Sequence, residues 1–173
     1  MTPLENPPEN PCFGCGPEHA RGLHLNFARD GDDIVCTYTP KPDEIGWPGI
    51  FHTGLHFTVL FETCYWAALE LTGQVHVASG PQVYEHKRLP RVGAPFTVRA
   101  RILSREPFDS APQGAVDKPW PAGHGFVKIL AESATLEGKP LGRAECGMAI
   151  ASRAGTERAG IALPSYLTDQ MAP

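Results

Sequence analysis

Gly54-Leu55-His56-Phe57-Thr58-Val59-Leu60-Phe61-Glu62-Thr63-Cys64-Tyr65-Trp66-Ala67-Ala68-Leu69-Glu70-Leu71-Thr72-Gly73 decides the fold. Residues 55–72 pass without a glycine or a proline, the longest such interval in a 173-residue chain that holds 18 of each. The interval predicts a helix over 55–72, with Gly73 standing where a left-handed C-terminal cap is expected. Phe57, Val59, Thr63, Tyr65 and Trp66 give it only middling intrinsic propensity, so packing must hold it. Apolar side chains occupy nearly every direction round it, and a helix of that kind is buried all round. A single helix is buried in that way when a curved sheet wraps it.

The flanking segments are short and alternate with period 2, as strands do. Leu23, Leu25 and Phe27 alternate before a turn at Arg29-Asp30-Gly31-Asp32, and Ile34, Cys36 and Tyr38 resume the pattern, which predicts a hairpin. After the helix, strands are expected over Val75–Arg88, irregular at Gly80 and Pro81, and over Phe96–Arg105, Phe126–Leu136 and Arg143–Ser152. Between them, Pro107 to Gly125 holds four prolines and reads as a long connection able to reshape the mouth of a binding site. The order is α+β: a hairpin, one helix, then about four strands. Residues 1–21 read as an extended proline-rich arm with no core of its own, 22–152 as the domain, and 153–173 as a tail.

Composition narrows the function. With 42% apolar and 20% charged residues and a net charge of -4, the chain is foldable. Its pI near 5.9 and lack of a basic run argue against nucleic acid. No apolar run reaches the ~20 residues that span a bilayer, no leader is expected at the start, and five widely spaced cysteines suit a reducing cytoplasm.

Three segments resemble the hotdog-fold acyl-CoA thioesterases related to the phenylacetate-pathway enzymes. They are Cys12-Phe13-Gly14-Cys15-Gly16-Pro17 with Gly22-Leu23 and Asp30-Gly31-Asp32, then Gly46-Trp47-Pro48-Gly49-Ile50-Phe51-His52-Thr53-Gly54, and lastly 75–93, ending Arg88-Leu89-Pro90-Arg91-Val92-Gly93. The resemblance implies an antiparallel sheet wrapped round one long central helix, and a homodimer or dimer of dimers with each active site between subunits. It further implies hydrolysis of an acyl-CoA or acyl-carrier thioester without a cofactor. The amide after the family's histidine polarises the thioester carbonyl there, which makes Thr53 the oxyanion donor, in the place of a usual glycine. The family's acid stands nine residues after that histidine, and position 61 is Phe61 in this chain.

Glu62, the one carboxylate in the apolar middle of the helix, is therefore the candidate base, with burial expected to raise its pKa. A structural hydrogen-bonding role, such as one across a dimer interface, is the alternative. Ser79 stands where some relatives place a residue holding the attacking water. His52, Gly54, Phe57, Thr58 and Phe61 are expected at the substrate. Arg88, with Lys87 and Arg91, could meet the phosphates of coenzyme A, or simply form a solvated basic edge. His52 and His56 share a helix face at i, i+4 without a supporting metal motif. Cys12 and Cys15 form a lone C-x-x-C with only His19, His24 and Cys36 scattered nearby, so a structural knuckle is expected and no metal. Because Phe61 replaces the acid, a second reading stands beside hydrolysis: a non-hydrolytic acyl or small-molecule binding protein, or a hotdog scaffold redirected to other chemistry.

Overall fold

The structure, a computed structural model, describes residues 1–107, 125–158, 160–169 and 171. The connection expected over 107–125 lies outside the described residues except for its two ends. The central helix α1 spans Thr53–Thr72, starting two residues before the predicted boundary because His52 caps it. The Gly54 amide donates to His52 Nδ1 at 3.1 Å. At the other end Gly73 adopts φ 69° and donates its amide to the Leu69 carbonyl, the left-handed stop that its lack of a Cβ allows.

Seven antiparallel strands curve round this helix. They are β1 (Thr2–Pro3), β2 (Phe27–Asp30), β3 (Asp33–Tyr38), β6 (His76–His86), β7 (Phe96–Pro107), β8 (Gly125–Thr135) and β9 (Pro140–Ile150). Their spatial order is β1-β2-β3-β7-β8-β9-β6, while β4 (Ile45–Trp47) and β5 (Ile50–Phe51) form a separate hairpin before the helix. Two short helices, α2 (Arg153–Arg158) and α3 (Ser165–Thr168), follow in the tail. This is the hotdog fold. The inward side chains of the sheet, among them Ile34, Val98, Ala100, Ile129, Ala144 and Met148, are fully buried and pack with Val59, Leu60, Cys64 and Ala67 of α1.

Three expectations change. Leu23 and Leu25 are buried but lie outside any strand: His24 between them has φ 55°, which breaks an extended run. Their amides instead bond the Phe13 and Gly14 carbonyls, tying 23–25 to the Cys12–Cys15 loop. Second, the arm contributes a strand at Thr2–Pro3 and buries Cys15 in the core, so it is part of the domain's packing. Third, α1 is not buried all round. Phe57, Phe61 and Tyr65 are only half-buried, because the sheet covers one side of the helix and the arm and tail only part of the other. The irregularity expected at Gly80 and Pro81 is present as a register shift between Ala78 and Gln82 on β6, where Gly80 takes φ 72°.

A buried polar contact fastens the loop that precedes the helix. Tyr38 Oη donates to the Glu44 carboxylate, 2.6 and 2.7 Å from its two oxygens, and the Lys41 amide donates to the same group at 2.8 Å. The Glu44 carbonyl in turn accepts from the His52 amide. Tyr38→Phe leaves that buried carboxylate one donor short and is expected to lower stability by about 1–2 kcal/mol. A shift in the urea midpoint with an unchanged slope checks it.

Candidate active site

The Cys12–Cys15 loop folds as a tight knuckle. The Cys12 amide donates to Asn10 Oδ1 at 3.0 Å, and the Gly16 amide to the Cys12 carbonyl at 2.8 Å. A Cβ on Gly16 would stand 2.4 and 2.5 Å from the Asn10 and Cys12 carbonyl oxygens, so the turn closes this tightly only with glycine. The knuckle lies directly over the middle of α1. Cys12 Sγ is 3.5 Å from Glu62 Oε1, and a Cβ on Gly14 would fall 2.5–2.9 Å from the Glu62 side chain. Gly14 thus leaves the space that Glu62 occupies. Gly14→Ala meets the Glu62 side chain from its Cγ outward, so it is expected to push the carboxylate aside at a cost of about 1–3 kcal/mol. Thermal unfolding together with a turnover assay would separate these two effects.

Beside Glu62 opens a cavity of about 700 Å³. Its walls come from the arm (Leu4, Cys12), from α1 (Phe61, Tyr65, Trp66), from the start of β6 (His76) and from the tail (Leu167). The lining is mainly apolar, and Glu62 is held inside it between the sheetward core and the knuckle. Burial pushes the Glu62 carboxyl up to about 8, with the negative charge of Cys12 adding to the effect. The Cys12 thiol is lowered to about 5, first by the Cys15 thiol and then by the Cys15 and Gly14 amides, while Cys15 is pushed up. The Cys12–Glu62 pair therefore carries one proton and one negative charge through neutral pH.

Two buried histidines lie at opposite ends of α1, His56 in its first turn and His76 beyond its C-cap. His76 lines the cavity, bonded through Nδ1 to the Gln74 carbonyl at 2.7 Å. A carbonyl only accepts, so Nδ1 carries the proton and Nε2 presents a lone pair. That Nε2 is buried without a hydrogen-bond partner, as is Trp66 Nε1. Burial lowers His76 to about 4. His56 is fully buried, sharing hydrogen bonds with Tyr84 Oη at 2.7 Å and Ser133 Oγ at 2.9 Å, and burial lowers it too to about 4.

Of the residues singled out in the sequence, the cavity brings together Phe61 and Glu62 with Cys12 and Cys15 of the knuckle. It does not include Thr53, His52 or Gly54, which are exposed at the helix start. Nine residues at about 1.5 Å each put Thr53 and Glu62 about 13 Å apart along the axis, so within one chain they do not act on the same atom. The Thr53 amide, in the first turn, has no intrahelical carbonyl to bond. Thr58 donates its hydroxyl back to the Gly54 carbonyl, and Phe57 packs on Phe61 and Tyr84. Ser79 is buried in the irregular part of β6. Arg88 is exposed and donates to the Pro140 carbonyl. His52 and His56 do not form a pair, since the first caps the helix and the second bonds Tyr84 and Ser133.

Sequence reasoning missed His76, Tyr65, Trp66 and the tail as cavity walls. A histidine at the very start of a strand beside a helix end was the one available signal. Comparison with protein-family models and with curated proteins finds no match. Solved structures do match. The E. coli PaaI protein from the phenylacetic acid degradation operon is 15% identical, over 77% of this chain and 83% of that one, with a TM-score of 0.59. A hypothetical thioesterase from Streptococcus pneumoniae, determined with coenzyme A, is 13% identical over 73% and 87%, at 0.55. AziG of S. sahachiroi is 19% identical over 74% and 91%, at 0.56. The fold is thus that of thioesterase-superfamily structures. No helix among the described residues is long and apolar enough to cross a membrane.

Proposed function

We propose that the protein hydrolyses an acyl-CoA or acyl-carrier thioester, with the acyl chain in the cavity beside Glu62. The observation that carries this reading is the Glu62 carboxylate, set beneath the knuckle into the mainly apolar wall of a cavity of about 700 Å³ that Glu5 and Glu70 also line, on a fold whose solved examples include proteins bound to coenzyme A and to acetyl CoA. A cavity of that size holds a medium-sized acyl group, and the carboxylate is the one acid on its helical wall near the middle. In the mechanism, Glu62 takes a proton from the attacking water as the tetrahedral oxyanion forms, and the Thr53 amide donates to that oxyanion. Ser79 holds the water. Because Thr53 and Glu62 are remote within a chain, the pair is completed between subunits of a homodimer, with β6 as the free sheet edge available for pairing. His52 fixes the helix start through its cap, Phe61 lines the acyl cavity, and Gly54, Phe57 and Thr58 shape the side near the Thr53 amide that meets the thioester. Arg88 meets the phosphates at the mouth.

The knuckle over Glu62 and the phenyl ring at position 61 favour one competing reading, binding without turnover. Release of free thiol from a panel of acyl-CoA substrates of graded chain length decides between them. Turnover that peaks at one chain length supports hydrolysis. Saturable binding of the same compounds with no thiol released supports the binding protein.

A further inference from the structure

Two cysteines three positions apart on the arm make no metal site alone, and the scattered histidines do not join them: His19 accepts from the Arg21 amide, and His24 bonds the His19 carbonyl. The third ligand comes from the helix. Cys12 Sγ, Cys15 Sγ and a Glu62 carboxylate oxygen lie within 4.8 Å of one another, and among the described residues they are the one such group of His, Cys and carboxylate side chains. We propose that Cys12, Cys15 and Glu62 bind a zinc ion whose fourth position opens on the cavity.

The Cys12–Glu62 edge has the length that zinc requires. Tetrahedral bonds of about 2.3 Å to sulfur and about 2.0 Å to oxygen set the S···O edge at about 3.5 Å, and the Cys12 Sγ to Glu62 Oε1 distance is 3.5 Å. The surroundings fit as well. Asn10, buried, donates its Nδ2 to Cys15 Sγ at 3.3 Å while its Oδ1 holds the Cys12 amide, the kind of outer contact that orients a ligand. Gly14, whose Cβ would collide with Glu62, lets the carboxylate reach the two sulfurs. Two thiolates and one carboxylate select zinc over harder cations, and three protein ligands with one open position is the arrangement of catalytic rather than purely structural zinc. Binding releases the Cys15 thiol proton and the one proton that Cys12 and Glu62 share, leaving Zn²⁺ held by two thiolates and one carboxylate. The inference rests on the thioester reading only for what meets the open position; uptake of the metal does not depend on it.

The test is metal content and cobalt substitution on the full-length protein, purified with reductant and without chelator. Elemental analysis is expected to find about one zinc per chain, removable by chelator and restored by zinc. Cobalt(II) in its place gives strong thiolate-to-metal charge-transfer absorption. Cys12→Ser and Cys15→Ser each weaken that band, and Glu62→Gln keeps it but releases the metal at lower chelator concentration. A reduced wild-type protein that takes up neither metal overturns the proposal, as does uptake that none of the three variants alters. Thioester hydrolysis is followed on the same preparations. Metal uptake without turnover contradicts the enzymatic reading alone, and turnover by protein that takes up no metal contradicts the zinc site alone.

Discussion

Glu62→Gln is expected to lower kcat for thioester hydrolysis by about a hundredfold to ten-thousandfold, the range a positioned general base contributes. Glutamine keeps the shape of the side chain that fills the space left by Gly14, so the knuckle and the cavity wall persist. It removes the one group on that wall able to accept a proton from water in this position. KM should change far less than kcat, because the apolar walls formed by Tyr65, Trp66 and Leu167 make the binding contacts. Thr53→Ala gives the complementary control, since the backbone donor is untouched by the loss of its side chain. An equal fall in both variants would point to a general disturbance of the helix, and full activity in Glu62→Gln would remove Glu62 from the mechanism.

Acid is expected to unfold the protein through its buried histidines. His56 has a folded pKa near 4, lowered by burial and then by the His86 charge, against an ordinary value of 6.5. Above about pH 6.5 the ring is neutral in both states and its contribution is fully present. As pH falls through 6.5 towards 4 the unfolded chain takes up a proton that the folded chain refuses, so stability drops; below 4 the loss levels off. Over that window His56 costs about 3 kcal/mol, a large share of the ~5–15 kcal/mol of a typical domain. His76, also lowered to about 4, acts with the same sign. The Cys12–Glu62 pair contributes little, because the lowered thiol and the raised carboxyl act in opposite directions. Comparison with His56→Gln isolates the effect: between pH 7 and pH 4 the wild type should lose about 3 kcal/mol more than the variant. Parallel curves for the two proteins would show that His56 is not held neutral.

The helix and the strands were legible because their signals are local. An uninterrupted run from Leu55 to Thr72 and the alternation in Ile34–Tyr38 and Phe96–Ile102 mark their elements by a pattern carried within each segment, even where the partner is remote in sequence, as β7 is for β3. The Leu23–Leu25 run carried the same alternation and was read as strand, yet one left-handed residue, His24, and the pull of the knuckle carbonyls took it out of the sheet. Glu62 was legible as an anomaly, a charge in an apolar helix. Its partners were not. Cys12 and Cys15 lie about 50 positions away, and nothing local says that an arm crowded with prolines turns back over the helix. Gly14 and Gly16 hold the physical reason, and each reads as ordinary loop glycine until the atoms that would meet its Cβ are known. The cavity wall from Tyr166 and Leu167 was equally invisible, being made by a tail with little periodicity.

In the proposed mechanism the acyl group of a thioester enters the cavity beside Glu62. A crystal structure with a non-hydrolysable acyl-CoA thioether tests it most directly. The predicted result places the acyl chain against Tyr65 and Trp66, with the sulfur end next to the Glu62 carboxylate and the Cys12 thiol. An analogue bound along the open edge of β6, or elsewhere on the surface with this cavity still empty, would contradict it.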